Sequence, residues 1–372
     1  MIYAISFLIS VFISYYVPRY EKSIKLKAWK IVTDKRKMHR EKLMFASMIL
    51  PILVSACRYG IGTDYFYTYI PQFNAIVRGE KSYYEIGFYI LNKGIALFTE
   101  NGQWLIVICS ILTIGICYRQ IFKESESYAL SICLFYLSFF YFISLNNVRQ
   151  SLASAFLLIG IEKFIHGEKI KFIFWVLIAS SLHRVSLVFL VLFFADRFCL
   201  SAIPYGVFSC VIFFIGRIIA PKVLTILTAH IPRLNIYLHA SELAIYKQKT
   251  IGSMYMLIQF AIIAIYVYLD VNGKELSEKK DQIEWNFTKW TQCILFGIIA
   301  MDGVIPATYR IARIFSFTQF ILLPNAIEKK EKNKHNKICI WGIVIGMYLI
   351  YFAQNVLRGA EEVLPYHSIF NK

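Results

Sequence analysis

The chain has little charge and still less acid. Only 17% of its 372 residues are Asp, Glu, Lys or Arg, against about 25% in soluble domains. Apolar residues reach 58% and the mean hydropathy is +0.56. That balance excludes a disordered chain and a water-soluble globular enzyme, and it points to a polytopic membrane protein. The eight cysteines, Cys57, Cys109, Cys117, Cys133, Cys199, Cys210, Cys293 and Cys339, fall in or at the ends of apolar runs. They lack metal-ligand spacing and form no loop-based disulfide framework. No phosphate-cradling loop, dinucleotide fingerprint or metal motif occurs; Gly60-Ile-Gly62 comes nearest and fits neither glycine template. Segment 1–17 has no basic start and no small-residue cleavage site, so it reads as a span and not as a cleaved leader. Long hydrophilic stretches are also lacking. No loop can house a soluble catalytic domain of about 50 residues or more, so any chemistry must be built from helix ends and outer segments.

What is present is a series of apolar runs. A membrane helix needs about 20 such residues. Thirteen stretches qualify: 1–17, 43–57, 86–102, 103–117, 128–145, 151–165, 171–182, 185–195, 198–216, 252–270, 290–306, 311–326 and 338–355. Segment 86–102 carries Asn92, Lys93 and Glu100 and reads as an amphipathic helix lying at the interface. The expectation is therefore an all-α polytopic integral membrane protein, one transmembrane domain over 1–372, with about 12 transmembrane helices. The interfacial helix lies on the outer side, and both termini are extracytoplasmic.

Orientation follows basic residues. Segment 18–42 holds ten Lys and Arg, which makes it a basic cytoplasmic loop. Alternation then places 118–127, 163–171, 196–197, 271–289 and 328–337 inside, and leaves 58–102 and 217–251 as the longer outer segments. With that assignment the net charge of +17 separates by residue type. Twenty Lys and five Arg lie inside; six Lys and nine Arg lie outside. Lysine is a hydrated point charge suited to a topology signal, whereas arginine presents a planar fork that grips phosphate at two points. The outer face thus reads as an anion site, and nucleic acid is not an expected partner. Anchoring at the outer interface is the plainer alternative for any single Arg.

Five polar clusters sit at outer helix ends. The first is Arg58-Tyr59-Gly60-Ile61-Gly62-Thr63-Asp64-Tyr65, where two glycines allow a tight path that brings Arg58 toward Asp64; a local ion pair that merely folds the loop would look the same. The second, Asn146-Asn147-Val148-Arg149-Gln150, is a hinge between two apolar runs and is richer than a turn requires. The third contains His183-Arg184; a histidine there either takes up a proton or caps a helix. The fourth is Tyr309-Arg310-Ile311-Ala312-Arg313, whose two arginines share a helix face, with Asp302 in reach of either. The last is Pro365-Tyr366-His367-Ser368. A proton- or ion-coupled transporter would instead place ionisable groups near the midplane, where this sequence reads as mostly Ile, Leu, Phe and Ala.

These strings together resemble the EpsG family. The resemblance is carried by Arg58 to Tyr65, by Glu85-Ile-Gly-Phe-Tyr-Ile-Leu-Asn-Lys93, by Asn147-Val-Arg149-Gln150-Ser-Leu-Ala, by Leu182-His183-Arg-Val-Ser-Leu, by Tyr309-Arg310 and by Pro365-Tyr366. Their order and spacing match along essentially the whole chain. Where members often have His-Lys-Ser-Ala this chain has His-Arg-Val-Ser, a departure that keeps His183. The resemblance implies a polysaccharide polymerase of the Wzy functional type, serving O-antigen, capsule or exopolysaccharide, in the bacterial inner membrane. It implies transfer of a growing glycan from undecaprenyl pyrophosphate to a lipid-linked repeat unit, without metal, nucleotide or other cofactor. A chain-length co-polymerase, a flippase and the lipid bilayer are the partners implied. An O-antigen ligase or a flippase for the same lipid-linked sugar are the alternatives.

That chemistry assigns expected roles. A pyrophosphate leaving group gains charge as its bond to sugar breaks, and preorganised arginines stabilise it. Arg149 and Arg310 are the catalytic candidates, with Arg58 and Arg313 as further contacts. The acceptor hydroxyl must lose a proton, for which Asp64 and His183 are the candidates. Tyr65, Asn147, Gln150, Tyr309 and Tyr366 are expected to bind sugar or phosphate; tyrosine offers an apolar face and a hydroxyl together.

Overall fold

The first helix shows how this chain packs. In α1 (Ile2–Tyr15) the buried residues are Tyr3, Ser6, Ser10 and Ser14, while Leu8 and Phe12 stand exposed. Serines spaced four apart let backbones approach, which is how helices associate where lipid removes the hydrophobic drive. Ser6 Oγ shares a 2.9 Å hydrogen bond with the Tyr136 hydroxyl, and Ser10 Oγ one of 2.5 Å with that of Tyr118. The computed structural model describes residues 1–17, 29–230, 252–302 and 308–370. Those residues are overwhelmingly helical, and an isolated antiparallel bridge pairs Arg58 with Ser368.

After α1 come α2 (Trp29–Ala56), a π-helical turn (Tyr65–Tyr69), α3 (Ile70–Val77), α4 (Ile86–Ala96) and α5 (Gln103–Glu124). Then follow α6 (Tyr128–Leu137), α7 (Phe140–Asn146), α8 (Val148–Ile165), α9 (Lys169–Leu182), a 3₁₀ stretch (Arg184–Phe194) and α10 (Ala202–His230). The remainder is α11 (Ser253–Asn272), α12 (Lys279–Ala300), α13 (Thr308–Ser316), α14 (Gln319–Lys330), α15 (Lys334–Leu357) and a 3₁₀ turn (Ala360–Glu362).

Each apolar stretch overlaps helix, with 303–306 of stretch 290–306 outside the described residues, but most of those helices are shorter or more polar than a simple span. Among the described residues four are long and apolar enough to cross a membrane: Gln103–Glu124, Ala202–Ile219, Ser253–Asn272 and Lys334–Leu357. A fifth arises if Tyr128–Leu137 and Phe140–Asn146, bent by 52°, count as one. The bend has a local cause, since Phe139 sits at φ 69°, in the left-handed region that breaks a helix. Stretch 171–182 belongs to a 14-residue helix and 185–195 to an 11-residue 3₁₀ stretch. At 1.5 Å per residue, a 14-residue α-helix covers about 21 Å of a hydrocarbon core about 30 Å thick. Of the twelve spans expected, four or five among the described residues meet length and composition as single helices.

Three boundaries also move. Residues 29–42 of the basic segment continue α2 as helix; 18–28 lie outside the described residues. Outer segment 217–251 is helical to His230, and 231–251 lie outside the described residues. The 146–150 hinge is a single residue, Asn147, between the end of α7 and the start of α8.

Packing divides the chain into two compact units. The first comprises 1–159, 181–184 and 352–372. Here α1 lies against α2 and α6, and α2 against α5. Aromatic rings fill the interior: Tyr136 stacks on Tyr141 at 4.6 Å, and Phe139 on Phe142 at 4.9 Å.

The second unit comprises 160–180 and 185–351. Its α10 packs on α11 and α12, with Phe213 stacked on Phe296 at 4.7 Å. Its interior is less apolar than the sequence suggests. Gln259, Gln292 and Gln319 are buried and joined: Gln292 Nε2 and Gln319 Nε2 donate to Gln259 Oε1 at 2.9 and 2.6 Å, and Tyr348 donates to Gln319 at 2.7 Å. Amide networks of this kind tie membrane helices together. At the end predicted to be cytoplasmic, Lys329 pairs with Asp281 at 2.7 Å and Glu284 at 2.6 Å, and Lys289 pairs with Asp270 at 2.7 Å. Burial opposes the Lys329 ammonium, and Glu284 and Asp281 together outweigh it, so its pKa is raised. All eight cysteines are free, in keeping with their unpaired spacing.

Candidate functional site

The site of the first unit is a knot of loop ends. The tail returns to the end of α2, where Tyr59 N–H donates to His367 O at 3.0 Å and Ile369 N–H to Cys57 O at 2.9 Å. The Tyr366 hydroxyl donates to Val54 O at 2.9 Å, so Tyr366 helps clamp the tail to α2. Burial raises that hydroxyl to about 12, which keeps it a donor.

Arg58 does not turn toward Asp64. It is 1% exposed, and its Nη1 donates to Ser55 Oγ at 3.0 Å, to Ser110 Oγ at 2.8 Å and to the Ser55 carbonyl. Burial lowers its pKa. The side chain therefore braces α2 against α5, and the loop beyond it is shaped by other groups. Gln103 Nε2 donates to Ala56 O at 2.9 Å and Arg58 O at 3.1 Å, and its Oε1 accepts from Tyr65 OH at 2.5 Å. Burial pushes the Tyr65 hydroxyl up to about 12.

Gly62 explains the glycine pair. Its φ is +81°, and a Cβ placed there would lie 2.8 Å from Asn146 Oδ1 and 3.0 Å from Asn146 Cα. The loop can touch the end of α7 because no side chain intervenes. Gly62→Ala is expected to lower stability by about 1–3 kcal/mol. The check is the thermal aggregation midpoint of the detergent-purified protein; an unchanged midpoint would contradict the packing described.

That contact aligns three carboxyl-bearing or amide-bearing segments. Asn146 Oδ1 accepts from the Asp64 N–H at 3.0 Å. Asn146 Nδ2 and Asn147 Nδ2 each donate to Glu361 Oε2 at 2.7 Å. Asp64 Oδ1 accepts from Thr68 Oγ1 at 3.3 Å. Glu361 and Glu362 both adopt positive φ, 63° and 49°, at a cost of order 1–3 kcal/mol each. A non-glycine pair in that region persists only where its surroundings hold it.

A second set of contacts adjoins α8. Arg149 Nη1 donates to Glu85 Oε2 at 2.7 Å, and the Arg149 guanidinium lies 4.9 Å from the Tyr84 ring centroid. Glu85 Oε1 accepts the Arg184 N–H at 3.3 Å. The Tyr69 hydroxyl, whose ionisation burial opposes, accepts the Arg149 backbone N–H at 3.4 Å. Gly87 lets 181–184 approach α4, since a Cβ there would lie 2.3 Å from Ser181 Oγ. His183 is half-buried beside Arg184 at the end of α9, and Gln150 is buried one residue after Arg149.

The predicted residues Asp64, Tyr65, Asn147, Arg149, Gln150, His183 and Tyr366 thus all belong to the first unit, together with Arg58. Tyr309, Arg310 and Arg313 belong to the second. There the Arg310 and Arg313 guanidinium groups lie 5.8 and 5.1 Å from the Tyr309 ring centroid, and Arg310 Nε donates to Tyr309 OH at 3.2 Å. Asp302 Oδ1 accepts from Thr308 Oγ1 at 3.2 Å.

Two residues of the site escaped the sequence reading as functional positions, Glu85 and Glu361. Each is an acid just outside an apolar helix, on a face otherwise selected for arginine, and that contrast was the available signal. Among the described residues no group of three or more His, Cys, Asp or Glu side chains is arranged to hold a metal ion.

The sequence model of the EpsG family matches residues 41–368. No curated protein and no solved structure matches the chain. The family match runs from α2 through the tail and takes in every residue of both sites, so the chain belongs to the EpsG family.

Proposed function

We propose that this protein is a bacterial surface-polysaccharide polymerase working at the outer face of the inner membrane. It joins a growing glycan, carried on undecaprenyl pyrophosphate, to the non-reducing end of a lipid-linked repeat unit. The acceptor hydroxyl oxygen bonds to the anomeric carbon of the donor sugar. The bond from that carbon to the pyrophosphate oxygen breaks, undecaprenyl pyrophosphate leaves with the electron pair, and the hydroxyl proton passes to a carboxylate.

The observation that carries the reading is the state of Arg149. Among the described residues Glu85 is the one hydrogen-bond acceptor of its guanidinium. A guanidinium has five N–H donors. One arm is pinned by Glu85 and the plane is steadied by Tyr84, so the remaining donors are held ready for an anion. Preorganised donors of this kind stabilise charge as it develops, because no reorganisation is needed at the moment of reaction. Arg184, whose N–H meets Glu85, serves as a further phosphate contact in the first unit; in the second unit Arg310 and Arg313 offer cationic donors of their own beside Tyr309. Asp64 takes the proton, with Asn146, Asn147 and Glu361 setting the loop that presents it; His183 precedes Arg184, whose N–H meets Glu85. Arg58 braces the site from within. Tyr65, Gln150, Tyr309 and Tyr366 line or steady sugar-facing segments. The reaction as written consumes no nucleotide and requires no metal. A flippase supplies the substrate, a chain-length co-polymerase limits the product, and the bilayer holds both lipid carriers.

Deleting the gene in its own strain tests this. The expected surface glycan is a single repeat unit in place of a ladder on a gel. Loss of every repeat, including the first, would point to ligation or flipping and sink the polymerase reading.

A further inference from the structure

Helix α4 carries a second feature, beyond the polar site at its start. Its C-terminal half and the start of α5 form an apolar cavity of about 740 Å³, lined by Ile90, Leu91, Gly94, Ile95, Phe98 and Trp104. That volume lies within the range of small-ligand sites. Exposed apolar surface alone says little in a membrane protein, because bilayer lipid covers it. Two observations, taken together, bear on what fills this groove.

The first is Gly94. A glycine inside a helix costs about 0.5–1 kcal/mol relative to alanine, and close packing is the usual reason to keep one. Gly87 on the same helix has that reason, since its Cβ would collide with Ser181. Gly94 has none: its φ is not in the left-handed region, and a Cβ there would meet nothing within 4 Å, as at Gly115, Gly342 and Gly346, but of these Gly94 alone lines the groove. Its missing side chain leaves open space on the groove wall. The second observation is continuity. Glu85, which pins Arg149, is the N-cap of α4. Gly94 follows nine residues later, about 14 Å along the same helix axis at 1.5 Å per residue. An anion-binding guanidinium and an apolar trough therefore stand at two ends of one rigid element, the arrangement an amphiphile with an anionic head and a long hydrocarbon tail requires.

We propose that the α4 groove holds the polyisoprenoid chain of the lipid carrier whose pyrophosphate meets Arg149. This rests on the polymerase reading and extends it from the head of the substrate to its tail.

The test uses the full-length protein in lipid nanodiscs with a diazirine-tagged farnesyl pyrophosphate as probe, and maps the label by peptide mass. Label is expected on peptides spanning 86–108, displaced by excess untagged farnesyl pyrophosphate. Gly94→Leu fills the trough and is expected to cut that labelling about tenfold or more, the scale of forcing extra methylenes into an occupied space. Gly94→Ala, which adds one methyl into open space and favours helix, keeps most of it and shows that the position tolerates substitution. Equal labelling of these peptides by a diazirine-tagged phosphatidylcholine, with no competition by farnesyl pyrophosphate, would show ordinary bilayer lipid and overturn the proposal. Glycan ladders separate the two levels. If Gly94→Leu extends chains normally while Arg149→Ala does not, the groove proposal fails and the polymerase reading stands. If Arg149→Ala extends chains normally, the reading beneath it fails.

Discussion

Arg149→Ala is expected to stop chain extension while the protein still inserts into the membrane. Loss of one preorganised donor to a developing oxyanion costs about 10²–10³ in rate, enough to reduce a glycan ladder to its first rung. The variant also leaves Glu85 without its partner in a partly buried place, where the side-chain exposures are 21% for Arg149 and 16% for Glu85. Destabilisation could then imitate a catalytic loss. The double variant Arg149→Ala/Glu85→Ala separates the two, because it removes the orphaned carboxylate. If Arg149 serves only to neutralise Glu85, the double variant regains both membrane abundance and ladder. The expected result is regained abundance with no ladder. Arg149→Lys keeps the charge but loses the planar fork, and it is expected to extend chains poorly as well. Wild-type ladders from Arg149→Lys would mean that simple charge suffices and that two-point recognition is the wrong description.

The helices were legible because each is an apolar run, and burial of such a run needs no knowledge of its partner. What the helices do with their length was less so. The 52° bend depends on Phe139 taking a left-handed backbone, which no residue preference announces. The serine seam of α1 and the glutamine network of α11, α12 and α14 are polar residues within apolar stretches, and they gain meaning only from facing helices. In the site, the arginines stood out by their contrast with the lysines of the segments read from sequence as cytoplasmic. Arg58 was then misplaced, because its proximity to Asp64 in sequence suggested a pairing that Ser55 and Ser110 win by position. Glu85 and Glu361 lie 64 and 214 or 215 residues from the side chains they bind. Nothing local reveals such partners. The glycines are the intermediate case: Gly62 and Gly87 signal a close approach, but not that Asn146 and Ser181 are what approaches.

The second large effect divides the work of two carboxylates. Glu361→Ala removes the acceptor shared by Asn146 and Asn147, and Asn146 is the residue that holds the Asp64 backbone. Chain extension is expected to fall by about 10² or more, since small displacement of a reacting group is sufficient for that. Glu361→Gln keeps an oxygen able to accept both amide bonds, so it is expected to restore the ladder to near its normal length. Asp64→Asn keeps an acceptor for Thr68 and leaves the backbone bond to Asn146 intact, yet it removes a proton acceptor. The expected cost is about 10²–10⁴ in rate, the usual worth of general base catalysis, with membrane abundance unchanged. A positioning carboxylate survives conversion to its amide and a proton-accepting one does not. The same pair of variants can therefore reverse the assignment. An inactive Glu361→Gln beside an active Asp64→Asn would move the base to Glu361, and the positive φ at that residue would then mark strain held at the reacting group itself.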